Sequence, residues 1–167
     1  QAPNLYLLRD TNGDDKADKR ELVLGGFDPH DTHHAIGAFS ADPSGAIYML
    51  EGTFLHSQVE TAYGPRRDID SGVWRFEPLT QRIERYSQSS YANPWGIAFD
   101  DWGQAFLADA SNGMNWWLLP VSAKVPFGHQ IGKTDEFAPK RARPTSGAEF
   151  ISSRHFPDEL QGGWLVN

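Results

Sequence analysis

The stretch Ala38–Gly52 reads AFSADPSGAIYMLEG, and its pattern returns over Ile97–Ala110 as IAFDDWGQAFLADA. With Gly45 set on Gly103, Phe39 falls on Ile97, Asp42 on Asp100, Tyr48 on Phe106, Met49 on Leu107 and Glu51 on Asp109. Each copy is an apolar strand, a tight turn carrying Asp and Gly, an apolar–aromatic strand and an acidic residue. Asp and Gly suit the turn because a short carboxylate accepts neighbouring N–H groups and Gly supplies positive φ. After the first copy come Val73–Phe76, a turn at Pro78–Gln81 and Arg82–Tyr86. That makes four strands per unit, at a repeat length of roughly 40–60 residues that fits a β-propeller blade.

The expectation is therefore an all-β chain forming part of a β-propeller. The strands, lettered A to D from the centre outward, give the C–D pair of one blade over 1–28 and a full blade over about 33–88. A second blade with an irregular C–D half covers about 92–135, and the A–B pair of a further blade covers about 145–167. About three blades cannot close a ring, which needs at least about four. Further chain or a partner subunit is expected to supply the rest, and the strand-like ends QAPNLYLL and GGWLVN read as those of a fragment.

Composition agrees with short strands joined by turns. The 167 residues are 39% apolar and 13% aromatic, with 16 Gly and 11 Pro, enough for one domain with a core. A net charge of −7 without a long Lys/Arg run argues against nucleic-acid binding. Cysteine is absent, which excludes disulfides, thiolate metal ligands, a Cys nucleophile and a covalently attached c-type haem within these residues. That absence suits an exported protein, and a periplasmic or extracellular location is expected.

Asp10–Glu21, DTNGDDKADKRE, has the spacing of a calcium loop. Asp10, Asn12 and Asp14 take its first, third and fifth positions, Asp18 the ninth and Glu21 the twelfth, with the Lys16 carbonyl at the seventh. A hard cation takes six to eight such oxygens. Asp15 stands where the sharp-turn Gly is expected. The loop joins a C strand to a D strand, so a metal there would clamp a hairpin on the face away from any central site. The plainer alternative is a solvated acidic hairpin.

The opposite face carries the more reactive residues. FDPHDTHHAIG holds His30, His33 and His34, and the long connection Glu51–Gly72 holds His56, Arg66, Arg67 and Asp68. SSYANPWG and DASNGMN reach the same face. These groups are expected to surround one mouth suited to an anionic cofactor or a carbohydrate. Two other assignments stay open for the histidines: hydrogen bonding at a strand start, and a metal site from His30, Asp31 and His33. Trp95, Trp116 and Trp117 read as core aromatics or as platforms for a sugar.

The ordered phrases THHAIGAFSADPSGAIYMLEG, GVWRFEPLTQRIERYS, YANPWGIAFDDWGQAFLADAS and SGAEFISSRHFPDELQGGWLVN resemble the six-bladed propeller of soluble quinoprotein glucose/sorbosone-type dehydrogenases. They are closer to the large membrane-bound dehydrogenase-like propellers of planctomycete-like bacteria, often followed by a cytochrome c module. The resemblance spans nearly all 167 residues. It implies a periplasmic enzyme that oxidises a sugar or other alcohol with pyrroloquinoline quinone (PQQ) and calcium, passing electrons to a cytochrome. It implies His34 as general base, since fourteen residues separate it from Tyr48 and an imidazole titrates near working pH. The family's quinone-holding Arg-Asn-Pro is Ala92-Asn93-Pro94 here; Asn93 carries over, and Arg66 or Arg67 would have to replace the missing charge. Carbonyls near Ala110–Gly113 would hold the cofactor's calcium. Two alternatives are a non-catalytic propeller serving as a binding or assembly module in a larger redox complex, and a hydrolase or lactonase.

Overall fold

A computed structural model of the chain describes residues 2–118, 126–129, 134–140 and 142–167. The strands are β1 (Asn4–Arg9), β2 (Lys19–Gly25), β3 (Gly37–Ala41), β4 (Ile47–Leu55), β5 (Gln58–Val59), β6 (Arg66–Arg67) and β7 (Asp70–Glu77). They continue with β8 (Arg82–Gln88), β9 (Pro94–Phe99), β10 (Ala105–Asp109), β11 (Met114–Leu118), β12 (Glu136–Ala138), β13 (Ala148–Phe150) and β14 (Trp164–Val166). Two sheets have four strands, in the orders β3-β4-β7-β8 and β9-β10-β11-β12. The pairs β1-β2, β5-β6 and β13-β14 form two-stranded sheets. All pairings are antiparallel and no sheet closes on itself. Among the described residues there is no α-helix, only a 3-10 turn at Asp158–Leu160.

The internal repeat is real at atomic detail. Asp42 Oδ1 accepts the N–H groups of Ser44 and Ala46, and Asp100 Oδ1 accepts those of Trp102 and Gln104. Gly45 and Gly103 follow with φ of 87° and 78°, the left-handed conformation that lacks a steric penalty only in glycine. The copies differ in where their irregularities fall, that of β9 lying between Gly96 and Pro94. Ala38, at φ 47°, sits in an irregularity of β3, so Gly37 pairs with Leu50 and Ser40 with Tyr48, whereas β9 runs in step from Gly96 to Phe99. The extra residue moves the alignment by one position before it. His34 then corresponds to Asn93: the His34 carbonyl accepts Gly52 N–H, and the Asn93 carbonyl accepts Ala110 N–H.

Alternation along β4 joins the sheets. Tyr48 and Leu50 face the β9 sheet, in a cluster with Val73, Tyr86, Tyr91, Ile97, Leu107 and Trp116. Ile47 and Met49 face the other way, with Leu24, Phe27, Trp74, Phe76 and Ile83 beneath β1-β2. A strand buried on both faces needs this continuous apolar run, each fully buried large side chain contributing about 1.5–3 kcal/mol. A third layer of aromatics, Phe106, Phe137, Phe150 and Trp164, joins the β9 sheet to β13-β14. The first strands of successive sheets lie side by side, β3 and β13 both against β9. Gly96 allows that approach: a Cβ there would stand 2.8 Å from the Cβ of Ala148.

The outer strand of the second sheet is β12, which ends at Ala138, beside the expected bound of about 135; part of the irregular stretch before it lies outside the described residues. One expectation is corrected: the Glu51–Gly72 connection is not an open loop around a mouth. Residues 56–68 form an arm in which Gln58 pairs with Arg67 and Val59 with Arg66. Val59 is fully buried, the Gln58 N–H donates to the Gly26 carbonyl, and the Tyr63 hydroxyl donates to the Thr80 carbonyl at 2.9 Å. The arm thus folds outward along the sheet, toward the turn between β7 and β8.

Candidate functional site

β9 begins, and β10 and β14 end, at one end of the sheets. There, a cavity of about 510 Å³ is lined by His33, Asn93, Trp95, Ala110, Ser111, Pro144, Thr145, Ser146 and Asn167. Behind the lining, Asp109 is fully buried at the end of β10. Its carboxylate accepts the N–H groups of Ala92 and Asn93 at 2.8 and 2.9 Å and the Asn112 side-chain amide at 2.9 Å. That fixes the turn before β9 and aims Asn93 inward. Asn167 repeats the device 58 residues later, the spacing that also separates Asp109 from Glu51. Its Oδ1 accepts Gly147 N–H at 2.7 Å and the Ser146 hydroxyl at 2.9 Å.

Of the residues singled out from sequence, the cavity gathers Asn93, Trp95 and His33. The Asn93 side-chain nitrogen lies 3.2 Å from His33 Nε2, and donates to it when that ring nitrogen carries no proton. His34 is set back. Its ring packs on Gly52, where a Cβ would stand 2.8–2.9 Å from it, and is tilted 5.8 Å from Phe54. Its Nδ1 lies 3.2 Å from Asp31 Oδ2 without the alignment of a hydrogen bond. His30 turns instead to Asp28, at 2.8 Å. As the side chains stand, no group of three or more His, Asp or Glu among the described residues could hold a metal ion.

Arg66 and Arg67 are not brought to Asn93. They lie on the arm, where Arg67 donates to Gln58 Oε1 at 2.8 Å and lines a separate cavity with His56, Asp68 and Phe127. The carbonyl of Ala110 accepts Thr145 N–H at 3.3 Å. Trp116 is core, and Trp117 stacks on Phe106 with planes 5° apart. Ser111 lies in the DASNGMN segment expected at this face, whereas Thr145, Ser146 and Asn167 carry no such expectation. For Asn167 a signal existed, the repeat spacing from Glu51 and Asp109, but an amide does not match an acidic pattern.

The Asp10–Glu21 hairpin lies at the other end of β1-β2, since the end of β2 adjoins Gln58. Asp10 accepts the N–H groups of Asn12, Gly13 and Asp15, and these bonds, that of Gly13 first, hold its carboxyl below the usual carboxylate range. Asn12 and Asp14 make the same bond to the residue two further on. Asp15 has φ 64°, so it takes the left-handed turn expected of Gly. Asp18 accepts from Thr11, and Glu21, on β2, pairs with Arg9 and Lys19.

No curated protein and no solved structure matches the chain. Residues 1–158 match a domain family of unknown function, DUF7133. With that match covering nearly the whole length, the chain belongs to the DUF7133 domain family.

Proposed function

We propose that the chain is part of a β-propeller whose strand-end cavity binds a neutral, polyhydroxylated small molecule such as a saccharide. The observation that carries the reading is the cavity's lining: an indole (Trp95), two amides (Asn93, Asn167), three hydroxyls (Ser111, Thr145, Ser146), an imidazole (His33) and, among the described residues, no Asp, Glu, Lys or Arg. An aromatic face suits the C–H face of a sugar ring, and amides and hydroxyls donate and accept along its rim. The propeller reading is supported by the four-stranded repeat and by the side-by-side first strands β3, β9 and β13. Titration with a panel of neutral mono- and oligosaccharides, followed calorimetrically, is expected to find binding that Trp95→Ala abolishes. Absence of binding to every member, or binding indifferent to Trp95, would remove the reading.

A second reading keeps an oxidoreductase at the same cavity, favoured by the His33 imidazole placed beside Asn93, where a ligand hydroxyl would lie. The residues present do not fit PQQ, however. Its carboxylates need cations, the position before Asn93 is Ala92, and Arg66 and Arg67 lie on the arm. Reconstitution with PQQ and calcium is expected to give no dye-linked turnover with the same saccharides; turnover would restore the enzyme reading.

For the acidic hairpin we propose a structural calcium clamp drawn from Asp10, Asn12, Asp14, Asp18 and the Lys16 carbonyl. The support is the ligand spacing together with the left-handed Asp15. Binding recruits Asp18 from Thr11. Calcium is expected to raise the melting temperature relative to chelator in the wild type and not in Asp14→Ala; equal melting in both media would remove the clamp.

A further inference from the structure

The base of the arm closes over a buried acidic pair that the cavity does not use. Glu51, at the end of β4's pairing with β7, is 1% exposed; its two oxygens accept the Ser57 hydroxyl and the Trp74 indole N–H, both at 2.6 Å. Asp68, 2% exposed, ends the arm, and its N–H donates to the Ser57 carbonyl at 3.0 Å. Its side chain is pressed onto Gly72, where a Cβ would stand 2.1 Å from Oδ2. Ser57 and Asp68 are thus the two feet of the arm, and each is tied to the other or to a carboxyl beneath it.

The charges facing the pair do not balance. From β8, Arg85 reaches within 3.6 Å of Asp68 Oδ1. From the segment after β2, Asp28 adds a third carboxylate: its N–H donates to the Ser57 hydroxyl, and its oxygens accept from His56 N–H and His30. Arg67 is engaged with Gln58. Asp68 Oδ1 accepts the Ile69 N–H at 3.0 Å, and Oδ2 has no hydrogen-bond partner among the described residues. Burying an ionised carboxylate without a full set of donors is costly, and the group takes up a proton instead.

We propose that Glu51 and Asp68 form a proton-operated latch: with both carboxyls neutral the arm is closed on the sheet, and with both ionised their repulsion loosens its feet. The electrostatics agree with the geometry. Burial, before any other cause, pushes Glu51 up to about 7 and Asp68 up to about 8; Asp28 adds to the rise at Glu51, and Glu51 adds to it at Asp68. The sign follows from the raised values. The closed arm binds protons more tightly than the open one, so closure is fully stabilised below about 4, the ordinary carboxylate range. That stabilisation is lost as pH climbs through about 7 and about 8. The latch works near neutrality, where most buried carboxylates are already ionised.

Hydrogen exchange of the arm's amides, corrected for the intrinsic rate at each pH, tests the proposal. Between pH 5 and pH 8 the arm's protection is expected to fall at least about tenfold, with the β9–β11 amides as an unchanging reference. Glu51→Gln and Asp68→Asn, which mimic the neutral acids, should each flatten that profile. Flat wild-type protection from pH 5 to pH 9 would overturn the latch, whether or not the variants fold. A fall that persists undiminished in both variants would overturn it as well.

Discussion

Glu51 and Asp109 occupy the same place in two copies of one pattern, and they do opposite things. Asp109 ends β10 and turns toward the strand ends, where it accepts two backbone N–H groups and an amide and so shapes the cavity beside Asn93. Glu51 turns into the sheet and holds Ser57 and Trp74 beneath the arm. The second copy has Ala92 and Asn93 N–H groups within reach of its acid; the first has a bulge at Ala38 and a histidine ring stacked on Gly52. A repeat therefore fixes where an acidic residue sits, while the neighbouring turn decides what that residue serves. The cavity belongs to the copy whose acid organises the strand ends.

The largest expected effect tests that division. Asp109→Ala leaves three donors without their acceptor in a buried place, at a cost of about 3 kcal/mol or more, and it should also abolish saccharide binding. Glu51→Gln keeps an acceptor for Ser57 or Trp74 and should cost less than about 1.5 kcal/mol at pH 5. Urea unfolding of both variants at pH 5 reads the difference; equal costs would mean that the two acids are interchangeable.

A second effect uses the residue after each acid. Ala110 already carries the Cβ that Gly52 lacks, and at Gly52 that atom would strike the His34 ring. Gly52→Ala should destabilise by about 1–3 kcal/mol as an overpacking change. Adding His34→Ala should recover part of it, because the ring contacts go while the Cβ of residue 34, at 2.9 Å, stays. Failure of the double variant to recover would place the strain elsewhere than at the imidazole.

The smallest effect concerns the part of the two copies that does not differ. Asp42→Ala and Asp100→Ala each remove an acceptor of two turn N–H groups and should each cost about 1–2 kcal/mol. Thermal melting should rank them together; a large gap would show that one turn carries a load the other lacks.

The pattern of likeness explains what was legible in the sequence. The Asp–Gly turns and the alternation through Ile47–Glu51 depend on local rules, so strands β3, β4, β7, β8, β9 and β10 could be read directly, as could the convergence of His33 and Asn93 on one end. The arm could not. Its length and its two arginines mark it only as exposed chain, and its outward course is set by Val59 entering a core made of residues distant in sequence. The bulge at Ala38 was equally hidden, since a single extra residue changes no composition; it moves the counterpart of Asn93 from Ala35 to His34. Thr145, Ser146 and Asn167 reach the cavity through sheet-to-sheet packing, which no single segment encodes.

The central claim is that the uncharged cavity of the second copy is the binding site and that the first copy's acid is not part of it. Saccharide titration of the wild type, Trp95→Ala, Asn93→Ala and Glu51→Gln in one calorimetric series tests it most directly. Binding is expected in the wild type and Glu51→Gln, with loss of at least about tenfold in affinity, or about 1.4 kcal/mol, in Trp95→Ala and Asn93→Ala. Binding that survives both cavity variants, or that disappears with Glu51→Gln alone, would contradict it.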